Sequence, residues 1–193
     1  MSVFAKIPEN TFEQIQSNAG VVLSEFDPEA FDGTLDASKI LFATSGGFNF
    51  TDNVTYKDMG DGIDNAPRNT KELKRFESRE VRFTGTAVTA SAESVKSMMG
   101  GADVSGDSVK KITPRDVLKP EDFQDFWIVG DYGNVDGGLI AVHVMNALSA
   151  SGFKWQTQDR DKGQFAFDYL AHYSMEDQSK VPYEVYIKAG TAA

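Results

Sequence analysis

Between Phe48 and Lys57 hydrophobic and polar positions alternate. Phe48, Phe50, Val54 and Tyr56 fall on one side of an extended chain, and Asn49, Thr51, Asn53, Thr55 and Lys57 on the other. The same period returns farther on, with Glu77, Arg79, Val81, Phe83, Gly85 and Ala87 opposite Phe76, Ser78, Glu80, Arg82, Thr84 and Thr86. Each ribbon predicts a strand with one buried and one wet face, and together with their loop they predict one long hairpin. The loop, DMGDGIDNAPRNT from Asp58 to Thr70, holds three Asp, two Gly and a Pro and predicts no structure of its own. The ribbon after it opens with seven charged residues in its first ten positions, Lys71 to Glu80. No apolar face alternates through that distal half, so it is expected to project from the body.

Upstream, Asn10 or Thr11 as cap, Glu13 in the first turn and Gly20 as stop predict a short helix. GVVLSEF predicts a strand, DPEAFDG a turn, and SKILFATSGG a second strand that bends or bulges at Gly46 and Gly47. Downstream, SAESVKSMMGG carries a Ser91 cap, Glu93 in the first turn and a Gly stop. It predicts a helix over about 91–100 that buries Val95, Met98 and Met99. ADVSGDSVKKITPRDVLKPED, polar and broken by two prolines, predicts an irregular crossing. Five β-branched or aromatic segments follow: FQDFWIVGDYG, GLIAVHVMNALSAS, FKWQTQ, GQFAFDYLAHYS and VPYEVYIKAG, with QDRDKG as a hairpin tip. Many strands and one or two short helices predict a mainly β, single-domain sandwich or barrel over residues 1–193.

The chain has no Cys, which excludes disulfides, thiolate catalysis and zinc–cysteine sites. The opening residues lack the features of a secretory signal, and no stretch approaches a membrane span, so a soluble protein without a membrane anchor is expected. A net charge of −10 argues against tight binding to phosphate backbones, which needs clustered cations. Asp58, Asp61 and Asp64 invite comparison with a calcium loop, but they break the EF-hand spacing and lack its closing Glu, which favours a solvated turn. His143 and His172 sit in no catalytic spacing and alternate out of phase with their apolar neighbours, which predicts surface or interface positions. The doublets SGG, MGG and DGG lack the Lys-Ser/Thr of a phosphate loop and read as bends. No catalytic residue, metal ligand or cofactor is assigned.

In the charged ribbon Lys71, Lys74, Arg75, Arg79 and Arg82 are interleaved with Phe76 and Phe83, yet Glu72, Glu77 and Glu80 interrupt every basic run. Self-complementary charge of this kind suits salt bridges to another copy of the chain better than nucleic acid, with a solvated face as the plain alternative.

The mid-chain hairpin followed directly by a helix (RNTKELKRFESREVRFTGTAVTASAESVKSMMGGADV), the strand-dense GGLIAVHVMNALSASGFKWQTQDRDKGQFAFDYLAHYS and the closing VPYEVYIKAG resemble the major tail tube proteins of long-tailed, siphovirus-like bacteriophages. The resemblance implies a tail-tube β-sandwich with a flanking helix. It also implies hexameric rings of the chain itself, stacked around a tape-measure protein and bounded by tail tip and tail terminator proteins. The sheets of neighbouring subunits would line the channel through which DNA passes, in a virion tail assembled in the bacterial host cytoplasm. The loop over about 58–75 and its ribbon would make the ring contacts, through Asp58, Asp61, Asp64, Arg68, Lys71, Glu72, Lys74, Arg75, Glu77 and Arg79. Asn49, Thr51, Asn53, Thr55, Glu80, Arg82, Thr84 and Thr86 would line the channel. Lys57 and Arg82 lie on that same face, which calls for an ion pair or a different register. The alternative is a soluble β-sandwich module of a tail tip or baseplate that binds carbohydrate or a receptor. Such a module needs exposed Trp or Tyr platforms, whereas the patterns around Trp127 and Trp155 predict core.

Overall fold

The computed structural model describes residues 11–14, 16, 20–133 and 137–190. Of the helix expected between Asn10 and Gly20, α1 covers Thr11–Gln14, while Asn10, Ile15 and Ser17–Ala19 lie outside the described residues. The strands are β1 (Val21–Leu23), β2 (Ile40–Phe42), β3 (Thr44–Asp58), β4 (Lys74–Ala87), β5 (Ala102–Ser105), β6 (Lys111–Pro114), β7 (Gln124–Asp131), β8 (Leu139–Ser149), β9 (Lys154–Gln156), β10 (Gln164–Ala171) and β11 (Tyr183–Lys188). Helix α2 spans Ala92–Met99.

Nine strands form one antiparallel sheet in the order β2-β1-β7-β8-β10-β4-β3, with β11 added to β8 and β9 to β10. The sheet curls over itself. Phe42 of β2 meets Phe167 of β10 at 4.9 Å between ring centroids, although three strands separate β2 from β10 in the sheet. A single residue, Ala43, links the two edge strands β2 and β3. Inside the curl lie Val22, Phe42, Val81, Phe83, Ala87, Phe126, Ile128, Val144, Phe167 and Tyr169, capped by Met98 of α2. Val81, Phe83 and Ala87 of β4 are therefore buried and Phe48, Phe50 and Val54 of β3 half-buried on the side that the period of two predicts, whereas Tyr56, farther out, stays exposed.

Strand β8 serves both walls. Its first half pairs with β11 and its end with β10. The change of partner falls at a bulge, where Met145 and Asn146 stand opposite Asp125, and Asn146 takes the left-handed conformation at φ 50°. Asp125 Oδ1 holds the bulge by accepting the Asn146 N–H at 2.9 Å. A second apolar cluster, Leu23, Val129, Leu139 and Ala141, lies on the outer side of β1-β7-β8 under Phe26, Phe31 and Leu35.

Local signals hold in most places. Gly46 and Gly47, at φ 76° and 75°, form the expected bulge where Thr44 pairs with Ala87 and Phe48 with Gly85. A side chain at Gly85 would strike the Phe167 ring, since its Cβ would lie 2.6 Å from the nearest ring atom. Ser91 caps α2 by accepting from Ser94 N–H, and Gly100 ends it. The helix corrects one expectation, because it buries Ser94, Ser97 and Met98 and leaves Val95 and Met99 only part-covered. The Ser97 hydroxyl meets the Tyr169 hydroxyl at 2.9 Å inside the core, so the helix docks in part through a polar pair. The segment 102–122 is likewise not an irregular crossing. It forms the β5–β6 hairpin, tied to the chain after it by Arg115, which bonds both Asp103 and the buried Asp122.

Burial pushes the Tyr169 phenol up to about 12, against the lowering effect of its Ser97 hydrogen bond. The unfolded chain releases this proton near pH 10 and the folded chain near 12. Stability is therefore expected to be level below pH 10 and to fall by about 1.4 kcal/mol per pH unit between those values. Denaturant titrations at pH 9, 10 and 11 check this, and Tyr169→Phe is expected to flatten the fall.

Candidate assembly surfaces

Strands β3, β4, β10 and β9 share one largely polar face. Cross-strand partners share a side of a sheet, and the register pairs Asn49 with Thr84, Thr51 with Arg82, Asn53 with Glu80 and Thr55 with Ser78. Asn49, Thr51, Asn53, Thr55, Glu80, Arg82, Thr84 and Thr86 thus occupy one face. The pairing of β10 with β4 and β9 extends it to Gln164, Ala166, Asp168 and Leu170 and to Lys154 and Gln156. These six were not anticipated. The alternation in GQFAFDYLA contains the signal, but the neighbour that puts it beside β4 lies some 80 residues away.

Arg82 on this face is neutralised within its own chain. Its Nη1 donates to Asp168 Oδ2 at 3.1 Å, and its Nε lies 3.2 Å from Glu80 Oε1, close enough to pair electrostatically though not aligned as a hydrogen bond. An ion pair within the chain thus accounts for Arg82 on this face. Lys57 stands opposite Arg75 farther out on the arm.

Beyond Arg79 the β3–β4 ribbon leaves the body as an arm. Its root is braced by Asp52, whose Oδ2 accepts the Tyr183 hydroxyl at 2.8 Å and whose Oδ1 lies 3.0 Å from Arg79 Nε. Arg79 is thus engaged within the chain rather than offered to a partner. A bulge at Glu77 corrects the placement of Phe76: Thr55 pairs with Ser78 but Tyr56 with Phe76, which moves Phe76 to the side of Arg79 and Val81. There Tyr56 and Phe76 meet edge to face at 6.5 Å, Arg79 lies 5.9 Å from the Phe76 ring centre, and both aromatic residues remain 55% exposed. A groove of about 570 Å³ runs beside them, between Phe76–Arg79 and the segment bearing Tyr173, Gln178 and Val181.

The loop at the tip is organised, contrary to its expected lack of structure. Asp58 accepts the Gly60 and Asn69 N–H groups at 2.9 and 2.8 Å, Met59 N–H bonds Leu73 O at 3.0 Å, and Lys74 Nζ holds Asn69 Oδ1 at 2.8 Å. Those bonds keep the Asp58 carboxyl below its usual range, with the Asn69 N–H the largest cause. Asp58→Ala is expected to speed amide exchange at Gly60 and Asn69 more than tenfold while the β4–β10 amides keep their protection, as hydrogen exchange would show.

Asp61, Asp64, Arg68, Lys71, Glu72 and Glu77 are all exposed on the arm. Arg75 Nη1 turns back to the carbonyls of Glu72 and Lys74, both at 3.1 Å. Residues 57–77 carry five basic and five acidic side chains, a balanced set on a chain of charge −10. Acids dominate residues 58–64, and bases dominate 68–75. Met59 and Ile63 are exposed on the same arm.

The histidines and tryptophans correct the sequence reading in part. His143 is half-buried, stacked on Trp127 at 4.1 Å and 3°, with Nε2 3.2 Å from Asp125 and Nδ1 4.0 Å from Glu184. The imidazole holds the Asp125 carboxyl below its ordinary range, aided by the Asn146 N–H. This is a tie between β7, β8 and β11 with no nucleophile in it. His172 Nδ1 lies 3.1 Å from Asn146 O, beside the bulge. Trp127 is packed as expected, but Trp155 is 63% exposed, because β9 is an edge strand whose core-side row runs past the end of the core. No protein-family model matches the sequence, and no curated protein matches it in a sequence comparison.

Proposed function

We propose that the chain is a structural subunit of a phage tail tube, without enzymatic activity, that forms rings and stacks them into a conduit for DNA. The arm carries this reading. It is ordered, charge-balanced and studded with exposed Tyr56, Met59, Ile63 and Phe76, and it packs on no core of its own chain. A ribbon of two strands is marginal alone in water, so such an arm finds its packing on a neighbour. The polar β3-β4-β10-β9 face supports the reading as a channel lining, since its hydroxyls, amides and neutralised Arg82 offer DNA little to hold. Repetition of one heterologous contact closes into a ring or runs on as a filament. In this reading the ring is hexameric, and its partners are the tape-measure, tail tip and tail terminator proteins.

Negative-stain electron microscopy of the concentrated chain, with light scattering, tests this. Hollow rings or tubes of uniform width are expected; a monomer that also ignores added tail tip components would sink the reading. The exposed Trp155 favours a second reading, a module of a tail tip that stacks a sugar ring on the indole. Saturable quenching of tryptophan emission by an oligosaccharide, lost in Trp155→Ala, is its signature.

A further inference from the structure

Asp52 breaks the apolar row of β3. It sits between Phe50 and Val54, opposite Val81, with its side chain 19% exposed and that of its partner Arg79 23%. Its Oδ2 accepts the Tyr183 hydroxyl at 2.8 Å, and Tyr183 opens β11 across the curl, where its ring meets Phe50 at 5.1 Å. That hydrogen bond holds the Tyr183 phenol above its ordinary range. The contact with Arg79 is poorer. Arg79 Nε lies 3.0 Å from Asp52 Oδ1, yet both atoms are shut off from solvent and neither makes an aligned hydrogen bond. A desolvated pair in imperfect geometry returns little stability, and apolar side chains of similar volume would fill its place as well or better. What the pair supplies is direction, because it ties the root of the β3–β4 arm to β11.

The extra residue Glu77 lies just beyond this tie. Its bulge brings Phe76 to the side of Arg79, where Phe76 lines the groove of about 570 Å³ across from Tyr173 and Val181, with Tyr56 against its ring. Phe76 and Tyr56 are each 55% exposed and Tyr173 42%, so closing the groove would take three aromatic rings out of water. The far wall is fixed to the body, since Pro182 O accepts the Met145 N–H at 2.9 Å, and the near wall is a two-stranded ribbon on a bulge. Arg79, held by Asp52, keeps Phe76 on the near wall, with its guanidinium 5.9 Å from the ring centre.

We propose that the arm is a hinged strap and that Tyr183, Asp52 and Arg79 are its clasp. The strap pivots at Glu77 between the extended pose and a closed pose in which Phe76 packs on Tyr173 and Val181, and the clasp holds it extended. Closure hides Tyr56 and Phe76, so in the tube reading a subunit with a broken clasp withdraws its arm from its neighbours. The motion itself belongs to the single chain and does not depend on that reading.

The test is made on the monomer at low concentration, so it reads the same whether or not rings form. Because the chain has no Cys, spin labels can be placed at Glu72→Cys on the arm and at Met175→Cys, which is 85% exposed in the segment that forms the far wall. Pulsed double electron resonance is expected to give one long distance in the labelled chain with its clasp intact. Added Tyr183→Phe is expected to raise a second, shorter distance about tenfold in population, as the loss of one hydrogen bond to a charge implies. Asp52→Val combined with Arg79→Leu is expected to raise the same shorter distance while the melting temperature holds or climbs. Phe76→Ala, added to Tyr183→Phe, is expected to abolish it.

An unchanged long distance in both clasp variants would overturn the clasp. A smear without a shorter peak, or a shorter peak that survives Phe76→Ala, would overturn the closed pose. A steep fall in melting temperature in the Asp52→Val, Arg79→Leu chain would make the pair a prop of the core instead of a guide for the arm.

Discussion

Replacing residues 59–73 with an Asn-Gly turn is expected to give a stably folded chain that no longer stacks. Asp58 and Lys74 are already register partners, so a two-residue turn of the kind that suits right-twisted strands closes the shortened hairpin. The excised segment contributes no buried hydrophobic residue to either core cluster, so the melting temperature is expected to move by no more than a few degrees. Lost with it are Met59, Ile63 and five of the ten charges of the arm, Asp61, Asp64, Arg68, Lys71 and Glu72, together with the loop geometry that presents Asp58. Sedimentation and electron microscopy would show single rings or monomers at concentrations where the wild type forms tubes. Normal tubes from this variant would remove the arm from the assembly mechanism.

The largest effect on stability is expected at Phe83. It is fully buried, and its ring meets those of Phe48, Phe126, Phe167 and Tyr169, which come from β3, β7 and β10. Phe83→Ala removes from β4 a ring that touches both walls of the curled sheet. The loss is about 3–5 kcal/mol for a large-to-small change in a packed core. For a chain of this length that lowers the melting temperature by roughly 10 °C, taking about 2–4 °C per kcal/mol. Phe76, on the same strand, is the control: being half exposed on the arm, its change to Ala is expected to cost about 0.5 kcal/mol or less. Urea unfolding of the pair measures both. Equal losses at the two positions would contradict the placement of Phe83 at the centre and Phe76 outside it.

The contrast between these two phenylalanines shows how far local pattern reaches. A period of two assigns both ribbons correctly from Phe48 to Thr55 and from Ser78 to Ala87, because alternation is a property of the extended backbone and the buried side of a strand must be apolar. The Ser91 cap, the Gly100 stop and the bend at Gly46–Gly47 are legible for the same reason: each depends on a hydrogen bond or dihedral within a few residues. One extra residue at Glu77 then inverts Phe76, and nothing in the composition of the ribbon announces it, since the inserted residue is only visible against its partner strand. The polar sheet face was half legible: its β3 and β4 members follow from alternation, whereas Asp168 joins Arg82 through a pairing of strands remote in sequence.

Charge balance, the lack of cysteine, the mainly β character and the existence of a long projecting hairpin were determined by the sequence itself, since each is a sum or a short-range repeat. Tertiary structure alone decided which side chains are covered. Trp155, like Trp127, lies on a strand, yet Phe26 and Tyr186 close over Trp127 while the sheet ends at β9 and leaves Trp155 open. Burial is a relation between surfaces brought together by the fold, and a strand carries no record of whether another will lie beyond it.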